Sequence, residues 1–234
     1  MNRKTRTMKN VILIFDVETS GLYNANKPIE EQPYILQLSY LLYDLSNHTI
    51  LRCMNSYVRV GSQVDITPEI TKINGCSQAL CDQGQSIVAL LTNFYYDYQL
   101  ADTIVAHNFN FDSKIIAIEF IRNWSLLSVI APDGLNLFHT DYLSQEHKQV
   151  ICSMIETVQL VKALYKNARP GDEARKNYKW PTLSELHKHC FGNVPDNLHN
   201  SMVDVLVTLR CFLFYKYNHK IEEDTMQQLI IKHI

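Results

Sequence analysis

The sequence predicts an α/β domain built on a mixed sheet. Three observations lead there: a buried-type apolar run at residues 11–15, two further strand-like runs joined by a tight polar turn, and an alternation of helical and strand-like segments after residue 85. The chain has 234 residues, 46% of them hydrophobic, enough for one substantial core in a single domain. Its organisation reads as a basic flexible arm at 1–10, a main domain at 11–220 and a C-terminal helical extension at 221–234.

Residues 1–10 carry four positive charges and no apolar pattern, so they read as an arm with nothing to pack. The continuous run VILIF at 11–15 suits a strand covered on both faces. Residues 34–45 and 50–60 read as two more strands, with Ser46, Asn47 and His48 as the turn between them. Residues 85–98 read as a helix, 103–106 as a short buried strand, and 111–124 as an apolar helix. Residues 149–158 read as a strand and 160–165 as a short helix. The stretch 166–179 is polar and broken by Pro170-Gly171, an exposed loop whose lysines and arginines either follow a phosphate backbone or simply meet solvent. Two helices close the domain, at 182–190 and 201–217. In the second, Met202, Val205, Leu206, Leu209, Phe212 and Leu213 form one stripe at helical spacing.

With 22 basic and 24 acidic residues the formal charge is −2, which argues against a binder that follows a long duplex and leaves room for an enzyme gripping a few terminal phosphates. The six cysteines (53, 76, 81, 152, 190, 211) show no CxxC pair and no zinc spacing, and read as reduced thiols. No run of 18 apolar residues and no secretory leader is present. The expectation is an intracellular protein, cytoplasmic or nuclear, without a membrane span.

Polar residues interrupt this pattern at three places. Asp16-Val17-Glu18 closes the first strand; strand periodicity puts both acids on one side, where they repel unless a cation lies between them or the chain turns into solvent there. Asp112 follows His107-Asn108 at the start of a helix, where an acid also serves as an ordinary cap. Asp204, five residues after His199, sits in the first turn of the last helix and well off its apolar stripe, as a solvent-facing acid would. Each has an ordinary explanation alone. Together they place four carboxylates at one strand end and two helix starts, with no basic partners nearby in sequence, which is an oxygen-donor set for Mg²⁺ or Mn²⁺.

At these residues the sequence resembles the DEDDh (DnaQ-like) family of 3′→5′ exonucleases. The first motif stands as Phe15-Asp16-Val17-Glu18-Thr19-Ser20-Gly21-Leu22. The second runs from Val105 through His107-Asn108 to Asp112, and the third is His199 with Asp204. The segments TPEITKINGCS (67–77) and WPTLSEL (180–186) agree with the family's spacers. Ser20 stands where Thr is common, and Ser201 where a small residue, often Ala, is usual.

The resemblance implies a ribonuclease H-like mixed five-stranded sheet flanked by helices. It implies two Mg²⁺ ions, with Mn²⁺ able to substitute, on Asp16, Glu18, Asp112 and Asp204, and His199 as general base. Thr19, Ser20 and Leu22 would contact the terminal nucleotide, with His107 and Asn108 shaping the pocket. The implied substrate is a nucleic-acid 3′ end, DNA favoured over RNA, with a polymerase or a second copy of the chain as candidate partner. An RNA 3′-end trimming activity, or a non-catalytic nucleic-acid binding role, are the alternatives the sequence leaves open.

Overall fold

The computed structural model describes residues 10–165, 167 and 177–234. The sequence-predicted arm therefore lies almost wholly, and the polar loop largely, outside the described residues.

A five-stranded sheet in the order β3-β2-β1-β4-β5 organises the molecule. Strand β1 (Val11–Thr19) pairs antiparallel with β2 (Ile35–Asp44), which pairs antiparallel with β3 (Thr49–Tyr57) across the turn at 45–48. On its other side β1 runs parallel to β4 (Thr103–Ala106), and β4 parallel to β5 (Gln149–Cys152). This is the mixed, helix-flanked sheet that the sequence predicts.

Helices cover both faces. Residues 13, 15 and 17 of β1 point to one side, into a core with Phe94, Tyr98, Ile115 and Phe120 from α3 (Ile87–Leu100) and α4 (Phe109–Arg122). Residues 12 and 14 point to the other, into a core with Met202, Leu206 and Leu209 from α10 (Ser201–Tyr217), flanked by α9 (Leu183–Phe191) and α11 (Glu223–His233). Between β3 and α3 lie α1 (Pro68–Asn74) and α2 (Gln78–Asp82). Helix α1 starts at Thr67, whose side chain accepts the Ile70 N–H, and stops at Gly75, whose φ of +71° suits a residue without Cβ. After α4 come the short helices α5 (Trp124–Leu127) and α6 (Thr140–Gln145). No helix among the described residues is long and apolar enough to cross a membrane, and the six cysteines are free thiols.

Three expectations need correction. The strand expected at 149–158 is Gln149–Cys152; the chain then makes two helical turns, α7 (Ser153–Glu156) and α8 (Val158–Val161). The edge strand β5 pairs only with β4, which ends at Ala106 opposite Cys152, so beyond that point no partner remains and the backbone satisfies itself locally. The helix expected at 160–165 is this α8, stopped at Lys162 with φ +55°. The single stripe expected on α10 is also too narrow. Nearly every residue from Ser201 to Leu213 is buried, because the sheet, α9 and α11 enclose the helix.

Candidate active site

The pleat of β1 builds the first half of the site. Asp16 and Glu18 continue the face of Ile12 and Ile14, so they emerge toward α10 where that strand leaves the core. Asp204, one turn into α10, meets them: carboxylate oxygens of Asp16, Glu18 and Asp204 lie within 4.8 Å of one another. The ordinary reading of Asp204 as a solvent-facing acid is thereby overturned.

Asp112 arrives by another route. Strand β4 stops at Ala106 and α4 begins at Phe109, after Asn108 at φ +72°. Past that end β1 has no strand on this side, and the Asp112 carboxylate accepts the freed N–H of Val17 at 3.3 Å. No side-chain cap closes the α4 start. The acid reaches the strand between Asp16 and Glu18 as well as its own backbone N–H in the first turn of α4.

The start of α10 is fully accounted for. Ser201 N–H donates to Gln37 Oε1, and the N–H groups of Met202 and Val203 donate to Asn200 Oδ1. His199, at φ +72°, donates its own N–H to the Asp204 carboxylate at 3.3 Å and leaves its imidazole in an exposed position. On the other flank Asn74, at the end of α1, donates to Thr19 O at 3.2 Å and hydrogen-bonds Glu18. A cleft of about 340 Å³ lies there, with His199, Asn74, Tyr57 and Ile73 in its walls.

Burial and mutual repulsion set the electrostatics. Burial pushes the Asp16 carboxyl well above the usual range, with further upward pressure from Asp112, Asp204 and Glu18. Burial, then Asp204 and Asp112, raise Glu18 to about 9, against the Asn74 hydrogen bond that lowers it. Burial raises Asp204 to about 7 and raises Asp112 as well. Among the described residues no lysine or arginine is ion-paired to any of the four. An all-oxygen set of crowded carboxylates without a cationic partner fits hard divalent cations.

The remaining residues singled out by sequence lie at the end of β1, in the turn after it, and between β4 and α4. Thr19 Oγ1 donates to Gly21 O at 2.6 Å and Ser20 Oγ accepts the Tyr34 N–H, so both hydroxyls serve the turn after β1. Leu22 is 85% exposed. Asn108 is exposed, whereas both ring nitrogens of His107 are engaged, by Ser153 Oγ at 2.9 Å and Pro181 O at 3.1 Å. Burial holds that ring neutral, its pKa lowered to about 4, and the ring ties β4 to the segment that leads into α9. Lys179, counted in the basic loop by sequence, pairs with Glu185.

Comparison with known proteins gives the family and the fold. The family model RNase_T, described as an exonuclease, matches residues 13–212. A PolC-type DNA polymerase III from Caldanaerobacter subterraneus subsp. tengcongensis is 26% identical over 189 residues, covering 78% of this chain and 11% of the polymerase, so the chain spans about a tenth of that relative. E. coli ExoI in complex with single-stranded DNA is similar at a TM-score of 0.61 and 14% identity, over 96% of this chain and 43% of that one. The nuclease domain of 3'hExo, a DEDDh family member bound to rAMP, is similar at 0.60 and 15%, over 92% of this chain and 97% of that one. At such identities these structures show a shared ribonuclease H-like fold.

Proposed function

Because the chain belongs to the RNase_T exonuclease family, we propose that it is a metal-dependent 3′→5′ exonuclease that releases mononucleotides from DNA 3′ ends, single-stranded or frayed. One observation carries this reading: the carboxylates of Asp16, Glu18 and Asp204 converge to within 4.8 Å, with Asp112 hydrogen-bonded to the strand between the first two.

Asp16, Glu18 and Asp204 would hold one divalent cation and Asp16 with Asp112 a second. When bound, Mg²⁺ or Mn²⁺ supplies the positive charge that offsets charge developing on the scissile phosphate. His199 takes the proton of the attacking water as general base. Its backbone N–H on Asp204 ties the base to the acid cluster. The bond from phosphorus to the 3′-oxygen of the preceding nucleotide then breaks, and a nucleoside monophosphate leaves. Backbone groups of Thr19 and Ser20 face the terminal nucleotide, and the exposed Leu22 wedges against its base.

RNA is the second reading, favoured by the rAMP in the structure of 3'hExo. Likeness to a stretch of a PolC-type polymerase supports a polymerase as partner. The test is digestion of end-labelled single-stranded DNA, duplex DNA and RNA of one sequence with Mg²⁺ or Mn²⁺. The expected result is 3′-end shortening of DNA with mononucleotide products. Full digestion in excess EDTA, or shortening from the 5′ end, overturns the reading.

A further inference from the structure

A buried polar network lies under the site and serves none of the roles above. Gln37 and Ser39 on β2 are the register partners of Glu18 and Asp16 on β1. Both reach the same residue of α10: Gln37 Oε1 accepts the Ser201 N–H at 3.3 Å, and Ser39 Oγ meets Ser201 Oγ at 2.6 Å. Asn55 on β3 joins the two, its Oδ1 accepting from Gln37 Nε2 at 2.9 Å and from Ser39 Oγ at 3.0 Å, while its Nδ2 donates to His233 O in α11. Gln37, Ser39 and Ser201 are each at most 1% exposed.

Donor and acceptor counting gives this network one sense. Asn55 Nδ2 must face a carbonyl, which fixes Oδ1 toward β2. Oδ1 takes the Gln37 amide hydrogen, which fixes Gln37 Oε1 toward the Ser201 N–H. The Ser39 hydrogen is spent on Asn55, so Ser201 Oγ–H donates to Ser39. An amide flip at either residue would bury facing donors, a cost of about 1–3 kcal/mol for each group left unmade. The network therefore selects one docking of the α10 start on the sheet, and Asp204 lies three residues beyond Ser201.

We infer that Gln37, Ser39, Asn55 and Ser201 are positioning residues that set the α10 start so that Asp204 completes the cation site with Asp16 and Glu18. The inference rests on the proposed metal-dependent reading and names what holds its ligands in place. Apolar contacts are non-directional, whereas these hydrogen bonds define one position of the α10 start. Partners that orient metal ligands commonly account for about 10- to 100-fold in metal affinity.

The experiment is calorimetric titration of the full chain with Mn²⁺ alone, alongside thermal melting without metal. Three variants are compared with the parent: Gln37→Leu, Ser39→Ala, and Leu213→Ala, the last a buried residue near the far end of α10 that serves as a control for stability. Gln37→Leu and Ser39→Ala are expected to weaken Mn²⁺ binding about tenfold or more. Leu213→Ala is expected to lower the melting temperature and keep parental Mn²⁺ affinity. If Gln37→Leu does not fold, the smaller change at Ser39 decides. Parental affinity in folded Gln37→Leu and Ser39→Ala, or an equal loss in Leu213→Ala, overturns the inference. A parent that binds no Mn²⁺ overturns the proposed function instead, which separates the two failures.

Discussion

At residue scale, a backbone hydrogen bond from His199 to Asp204 ties the proposed base to the proposed cation site. The Asp204 carboxylate faces Asp16 and Glu18 while it accepts the His199 N–H, which holds His199 in a left-handed conformation with its ring outside the acid cluster. Replacing the ring should therefore leave the cation site intact. His199→Ala is expected to lower the single-turnover rate by about 10²–10⁴-fold, the usual size of a lost general base, with Mn²⁺ affinity near that of the parent. A His199→Ala protein that cuts at the parental rate removes the imidazole from the reaction. Leu22 poses a complementary case. It is 85% exposed, so Leu22→Ala is expected to raise KM for single-stranded DNA while the melting temperature stays within about 2 °C, as for surface changes generally. A change in melting temperature without a change in KM would make Leu22 a structural residue. Asp16 and Glu18 are legible as a pair because the strand period puts both on one side, whereas the helical period sends Asp204 toward solvent and only its spacing from His199 marks it. Gln37, Ser39, Asn55 and Asn74 are not legible, since their partners lie as far as 178 residues away and an isolated Gln or Asn in a strand carries no signal of its own.

At element scale, α4 serves the site from both ends. Its first turn carries Asp112, and its last carries Glu119 and Arg122. The Arg122 guanidinium donates to the carbonyls of Ile29, Gln32 and Pro33 and to Glu119 at 2.9 Å, and lies 3.9 Å over the Tyr34 ring. It thus pins the segment between β1 and β2 that presents Leu22. Burial raises the Glu119 carboxyl, and Arg122 beside it works in the opposite direction. Arg122→Met would leave that acid buried without its cation, which typically costs about 3–5 kcal/mol. Equilibrium urea unfolding is expected to show a loss of that order, and Glu119→Gln in the same background should recover part of it. No recovery would mean that the lost carbonyl contacts, rather than the stranded acid, account for the change. Other elements read from sequence with uneven success for physical reasons. The run at 11–15 predicts β1 because a strand covered on both faces must be apolar throughout. The sequence overextends β5 because Ile155 and Val158 continue its β-forming residues past Cys152, while the length of the strand is set by the four residues of β4. The all-round burial of α10 was hidden for a related reason: Thr208 and Arg210 look like an exposed face, yet Arg210 is buried against Ile221 O, His187 and Glu223.

At the scale of the whole molecule, the four acids are expected to make stability depend on both pH and divalent cations. In the metal-free fold Glu18 is raised to about 9 and Asp204 to about 7, with Asp16 and Asp112 also raised. A carboxyl that binds its proton more tightly in the folded chain stabilises the fold fully below the unfolded value, near 4, and loses that contribution as pH rises through the folded value. The window for Asp204 thus runs from about 4 to 7 and for Glu18 from about 4 to 9. Carboxylates with lowered values, such as Glu185 and Glu223, work in the opposite sense at more acid pH. The cluster is isolated by comparing the parent with Asp16→Asn, which removes one carboxyl and relieves its repulsion with Asp112, Asp204 and Glu18. Without metal, the parent is expected to lose melting temperature between pH 5 and pH 9 more steeply than Asp16→Asn, and the variant to be the more stable protein at pH 9. Mg²⁺ should reverse the order. It binds the ionised site of the folded parent and adds RT ln(1 + [L]/Kd), about 2.7 kcal/mol at a hundredfold excess over Kd, whereas the variant lacks a central ligand. Melting curves at pH 5, 7 and 9, with EDTA and with 10 Kd to 100 Kd of Mg²⁺, check both halves. Parallel pH profiles for parent and variant would show that Asp16 titrates as an ordinary surface acid. An equal Mg²⁺ shift in both would place the cation away from Asp16.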